Sequence, residues 1–153
     1  MDTKGFVTLA GQEPVWNIAP GRAAALKLQS VQTGESVMVF EEVAPAGTET
    51  PLHHNSDEVM CVLSGEFTFQ IGEQVSTGGP GTCAFMPRDI PHAWKNSGSD
   101  TGRAIFMYAP AEAGKVFEEL SRVQRPFAEI VNDPDGAEIF RRHGWEIIGP
   151  APF

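Results

Sequence analysis

The chain has 153 residues, of which 41% are hydrophobic and 20% charged, and its formal net charge is −9. That length suits one domain around one core, and the acidic balance disfavours a phosphate backbone, so no nucleic-acid partner is expected. No apolar run approaches eighteen residues, so no membrane span is expected either.

Sixteen glycines and twelve prolines, spread along the chain, point to many turns and many short strands. Met1-Asp2-Thr3-Lys4-Gly5 lacks a basic region followed by an apolar stretch, so it does not read as a signal peptide. Cys61 and Cys83 lie in apolar strand-like runs. Two cysteines are a poor disulfide framework at this length, so they read as buried thiols in a reducing, cytoplasmic setting.

Gly11, Pro14, Pro20 and Gly21 punctuate the first 21 residues, leaving Val15, Trp16 and Ile18 as a short edge segment. Ala23 to Val31 alternates and reads as a strand. Gln32 to Glu35 is turn chemistry, and Ser36 to Ala44 is a second strand ended by Pro45-Ala46-Gly47. Val59 to Leu63 is a strand closed by Ser64-Gly65. Glu66 to Ile71 then alternates, with Phe67, Phe69 and Ile71 on one face. Residues 72–81 read as a long Gly/Ser turn. Thr82–Met86, Pro91–Lys95 and Arg103–Ala109 are further strands.

After residue 110 the period changes. Ala113, Val116, Phe117, Leu120 and Val123 mark one face of a helix. A second helix is capped by Asp133, has Pro134 in its first turn, and stops at Gly144 after Arg141, Arg142 and His143. His143 suits that helix C-terminus and needs no role in a site. The segment Trp145 to Pro150 is expected to lie back on the strands. The chain reads as one domain over residues 1–153, all-β, with a barrel or jelly roll over about 22–110 and a two-helix tail over 111–153.

Chemistry concentrates in two places. His53, His54 and Glu58 fall within six residues, and His92 follows about thirty residues later. Imidazole and carboxylate together suit Fe, Mn, Co, Ni, Cu or Zn better than Mg or Ca. On an extended strand His54 and Glu58 would lie roughly 13 Å apart, so shared ligation of one ion requires a bend. Asn55-Ser56-Asp57 supplies a plausible one. Adjacent strand residues face opposite sides, so regular geometry admits only one of His53 and His54, and a bulge would admit both.

Together the two stretches resemble the cupin motifs. The second runs Gly81, five residues, Pro87, one residue, Asp89, two residues, His92, three residues, Asn96; the family usually has glycine where Asp89 stands. In the first, five residues separate Gly47 from His53 and six separate Glu58 from Gly65. The family's two histidines, separated by one intervening residue, are replaced by the adjacent His53 and His54. Counted from Glu58, the ligands would be His53, Glu58 and His92, with Pro51 in the other histidine's place. Counted from Gly47, both His53 and His54 would join Glu58 and His92.

The runs 57–66 and 86–94, and a tail with Phe117 to Leu120, Arg142-His143-Gly144 and Gly149-Pro150, look like the small single-domain cupins called quercetin-dioxygenase-like. That resemblance implies a jelly-roll barrel, a divalent transition metal and a homodimer. It also implies a dioxygenase acting on a small enolic or aromatic, flavonol-like substrate, with Glu58 as ligand or general base. It equally accommodates a non-oxidative isomerase, cyclase or lyase, or a cupin that only binds a small ligand.

Overall fold

The computed structural model describes residues 3–153, so Met1 and Asp2 of the N-terminal stretch lie outside the described residues. The strands are β1 Val15–Ala19, β2 Arg22–Leu28, β3 Met38–Ala44, β4 Leu52–His54, β5 Asp57–Ser64, β6 Phe67–Ile71, β7 Gln74–Gly78, β8 Cys83–Met86, β9 His92–Asn96, β10 Gly102–Ala109 and β11 Glu146–Gly149. The helices are α1 Val116–Val123, α2 Phe127–Val131 and α3 Pro134–Arg142. The strands form two antiparallel sheets, in the orders β1-β2-β3-β10-β5-β8 and β11-β4-β9-β6-β7. They face each other across one core, as in a jelly roll.

Alternation explains which residues fill that core. Met38, Phe40, Glu42 and Ala44 of β3 are buried, as are Glu58, Met60 and Val62 of β5 and Ala104, Phe106 and Tyr108 of β10. From the other sheet come Phe67, Phe69, His92, Trp94 and Asn96. Phe69, Met86, Trp94 and Phe106 are therefore core residues. Gly65 turns the chain from β5 to β6 with φ of +89°, and a Cβ there would sit 2.9 Å from the Cα of Gly102. Both the dihedral and the close approach call for glycine.

The outer face of the six-stranded sheet carries an apolar row. Val39, Met107, Val59 and Phe85 are register partners across β3, β10, β5 and β8. Cys61 and Cys83 pair in the next row and are joined in a disulfide. This corrects the reading of two buried thiols. The alternation that buries Met60 turns Cys61 outward, and Cys83 is exposed. The thiol argument for a reducing compartment goes with it.

Two elements differ from the sequence reading. The stretch 72–81 contains β7, an exposed edge strand whose outward residues show no core-facing period. The helical tail has three α-helices, because Arg125-Pro126 interrupts the chain and Phe127 and Ile130 then bury one face of the short α2. Asp133 caps α3 as expected, its carboxylate accepting from the Asp135 amide at 3.2 Å. His143 follows α3 and bridges the carboxylates of Glu112 and Glu119 at 3.0 and 2.8 Å, tying α3 to the start of the tail. No described helix is long and apolar enough to cross a membrane.

Candidate metal centre

The bend required by the spacing is present. β4 ends at His54, the chain bends at Ser56, and β5 begins at Asp57 in the opposite sheet. Asp57 fixes this crossing. Its carboxylate accepts from the Arg88 backbone amide at 3.0 Å, and from the guanidinium Nε and Nη2 at 3.1 and 2.8 Å. The first motif is thereby tied to the turn that leads into His92.

The crossing brings His53, Glu58 and His92 together inside the barrel, with their ligand atoms all within 4.8 Å of one another. His53 and His92 are register partners on β4 and β9. Glu58 reaches them from the facing sheet, its Oε2 lying 3.0 Å from His92 Nε2 and 3.9 Å from His53 Nε2. All three residues are essentially buried. His54 does not join them. It points from the other face of β4 and lies 3.2 Å from Glu146 on β11. The expectation that both histidines could enter the barrel is corrected here: β4 is a regular three-residue strand, and adjacent side chains on it diverge.

Both inner histidines are oriented by their backbones. His53 Nδ1 lies 2.7 Å from the Pro51 carbonyl, and His92 Nδ1 lies 2.9 Å from the Ile90 carbonyl. A carbonyl only accepts, so each Nδ1 carries the hydrogen and each Nε2 faces the site. Burial and the neighbouring His92 hold His53 well below the usual 6.5, at about 4, so it is neutral at ordinary pH. Its Nε2 is buried and has no hydrogen-bond partner. His92 behaves oppositely. Burial alone would lower it, but the hydrogen bond and charge of Glu58 outweigh burial and raise it. Glu58 in turn is held below its ordinary value, because His92, His53 and Tyr108 outweigh its burial.

These residues fit a divalent transition ion. Tetrahedral ligands about 2.1 Å from one ion lie about 3.4 Å apart, and the 3.0 and 3.9 Å separations bracket that distance. Two neutral imidazoles and one carboxylate are a donor set for Fe, Mn, Co, Ni, Cu or Zn. Each imidazole has the Nδ1–H to carbonyl bond that commonly orients metal-binding histidines.

Two further members carry no local sequence signal. Tyr108, the single tyrosine, faces Glu58 across β10–β5 and donates its hydroxyl to Oε1 at 3.1 Å. Burial and the Glu58 charge push that phenol well above its ordinary value, so it stays protonated. Trp145 stacks on His53 with ring centroids 4.5 Å apart, and its indole donates to the Ala113 carbonyl at 2.9 Å. Only the register and the return of the tail reveal these contacts. Clefts of about 610 and 560 Å³ flank β11. Pro51 and Ile147 line the first, and Trp145 and Ile147 line the second.

Residues 39–108 match the family model described as the cupin domain. No curated protein matches this chain in sequence. Among solved structures, the chain is similar to an RmlC-like cupin from Shewanella frigidimarina NCIMB 400, with 18% identity, 72% of this chain and 96% of that one covered, and a TM-score of 0.60. KdgF from Halomonas sp. gives 14% identity, coverage of 70% and 94%, and a TM-score of 0.59. The iron(II) form of HppE gives 14% identity, coverage of 71% and 62%, and a TM-score of 0.58. At such identities the likeness carries the fold alone. The model match spans residues 39–108, just under half of the chain, and the chain folds as a jelly roll of the cupin kind with a small helical tail.

Proposed function

We propose that this protein is a metal-dependent enzyme, a dioxygenase acting on a small enolic or aromatic substrate, with its ion held by His53, Glu58 and His92. The observation that carries this reading is the buried, unpaired Nε2 of His53 beside the Glu58–His92 pair. A bound divalent ion would supply Lewis acidity at the substrate's oxygens. Glu58 stays ionised, with Tyr108 on one oxygen and His92 beside the other. It is placed to accept the proton of an enolic hydroxyl. Trp145 and Tyr108 wall the site with aromatic surface and restrict water.

A second reading, a non-oxidative isomerase or lyase, draws on that same Tyr108–Glu58–His92 network, since proton transfer alone would use it. Elemental analysis after purification without chelator tests both. The ion is expected near one equivalent, and His92→Ala is expected to lose it. Less than a tenth of an equivalent, with no uptake of added salts, would remove both readings. Oxygen consumption with flavonols and diketones selects the first, and anaerobic conversion selects the second.

A homodimer through the row Val39, Met107, Val59 and Phe85 goes with this reading, because its Phe85 and Met107 are exposed and an apolar patch favours a partner surface. Light scattering is expected to give twice the 16.5 kDa chain mass, and Met107→Glu to halve it. A monomeric wild type would sink the dimer.

A further inference from the structure

Among the described residues, five buried side-chain polar atoms have no hydrogen-bond partner. Four of them belong to one short run: His53 Nε2, both amide atoms of Asn55, and Ser56 Oγ. Buried polar groups are ordinarily paired, and an unpaired one costs its desolvation. Asn96, equally buried, shows the ordinary case. Its Nδ2 donates to the Ala44 and Asp100 carbonyls, each at 2.9 Å, and its Oδ1 accepts from the Gly98 amide at 3.1 Å. Asn55 is only 6% exposed and makes none of these bonds.

Placement says what Asn55 faces. His53 and Asn55 are two residues apart and share a face of their segment. The β4–β11 ladder pairs Ile147 with His53 and Glu146 with His54, so the next step in register sets Trp145 opposite Asn55. Trp145 stacks on His53, which marks this as the inward face. Two residues span about 6.6 Å along a strand. That spacing sets the Asn55 amide next to His53 along the inward face.

We propose that Asn55 is a substrate-positioning residue that binds a small compound carrying a hydroxyl next to a carbonyl, an α-hydroxy ketone or its enol. This rests on the reading of His53, Glu58 and His92 as ion ligands. The amide offers an acceptor oxygen to the hydroxyl and an NH₂ donor to the carbonyl. Vicinal oxygens also suit chelation by the ion. A site whose buried polar groups are paired only by the right ligand rejects analogues that leave them unpaired.

The test uses the full chain loaded with Co(II), with metal content checked by elemental analysis. Maltol, a 3-hydroxy-4-pyranone, is titrated while the Co(II) absorption bands are followed. The wild type binds maltol. Asn55→Ala binds it about tenfold to a hundredfold more weakly, with unchanged Co(II) content and an unchanged or higher Tm, because an unpaired buried amide has been removed. Asn55→Asp keeps an acceptor, loses the amide donors and weakens binding in the same direction; it carries the comparison if the alanine variant does not fold. The methyl ether of maltol, lacking the hydroxyl, binds the wild type more weakly than maltol does, and the difference between the two ligands narrows in Asn55→Ala.

Equal maltol affinity in wild type and both variants, all holding Co(II), overturns the Asn55 assignment and leaves the ion site standing. A lower Tm with unchanged maltol affinity makes Asn55 a folding residue and overturns it as well. A wild type that takes up no Co(II) overturns the ion-ligand reading itself, and the Asn55 role with it.

Discussion

The barrel buries two charged clusters, and they are built on opposite principles. Arg22 and Glu42, 7% and 1% exposed, satisfy each other: Nε donates to Oε2 at 3.1 Å, and Nη2 to Oε1 at 3.0 Å. The guanidinium also lies 4.2 Å from the Phe127 ring centroid and 5.5 Å from that of Trp94. This pair ties β2 to β3 and holds the tail helix α2 over the barrel, and bidentate geometry with aromatic stacking is what a buried arginine needs. The second cluster, His53, Glu58 and His92, is as deeply buried but leaves a lone pair unused. A closed pair belongs to the architecture, whereas a cluster with unmet valence asks for a further atom.

The contrast breaks most readily at Arg22. Arg22→Ala leaves the Glu42 carboxylate buried without its partner, a change that typically costs about 3–5 kcal/mol. Urea denaturation is expected to show that loss, while the folded fraction still takes up its ion. Replacing both residues, Arg22→Met with Glu42→Leu, is expected to recover most of the stability, because no charge is then stranded. A single variant within about 1 kcal/mol of wild type would mean that the pair is no more than a surface contact.

Acid sharpens the other side of the comparison. His53 titrates at about 4 in the folded protein and near the usual ~6.5 when unfolded. Between those values the unfolded chain holds the proton and the folded chain does not. Stability is therefore complete above the unfolded value and is lost as pH falls towards the folded one. In the metal-free protein that loss is about 3 kcal/mol, measured as the difference between wild type and His53→Gln in urea midpoints across the window. His92 has the opposite sign. Its raised value stabilises the fold below about 6.5, and that contribution fades as pH rises through the folded value. Parallel curves for wild type and His53→Gln would show that His53 is not buried as a neutral base.

Much of this was legible from spacing and period. The alternation in β5 puts Glu58, Met60 and Val62 inside, and the Gly/Pro punctuation marks most strands. The distance argument also demanded a bend before Glu58, and the chain supplies it at Ser56. What stayed hidden depends on register between distant strands. The choice of His53 over His54 follows from the pairing of His53 with His92, which no local pattern encodes. Tyr108 reaches Glu58 because β10 lies beside β5 in one particular register, and Trp145 reaches His53 because β11 returns to β4. Cys61 is the instructive miss. Counting the period of two from Glu58 puts Met60 inward and Cys61 outward, but the apolar character of the run masked that alternation.

The smallest expected effect falls one residue from the largest functional one. His54 lies 3.2 Å from Glu146, which is mostly exposed, on the outer face of the edge pair β4–β11. Exposed ion pairs of this kind contribute at most about 1 kcal/mol, so His54→Ala is expected to shift the urea midpoint barely and to keep the full metal content. His53→Ala removes a ligand whose Nε2 has no other partner, and metal content is expected to collapse. The two alanine variants differ by one position and delete the same side chain, so composition, net charge and helix or strand propensity cancel between them. What remains is the face of β4. If His54→Ala also loses the ion, β4 does not hold the regular strand geometry that separates the two histidines, and the three-residue site gives way to one with four.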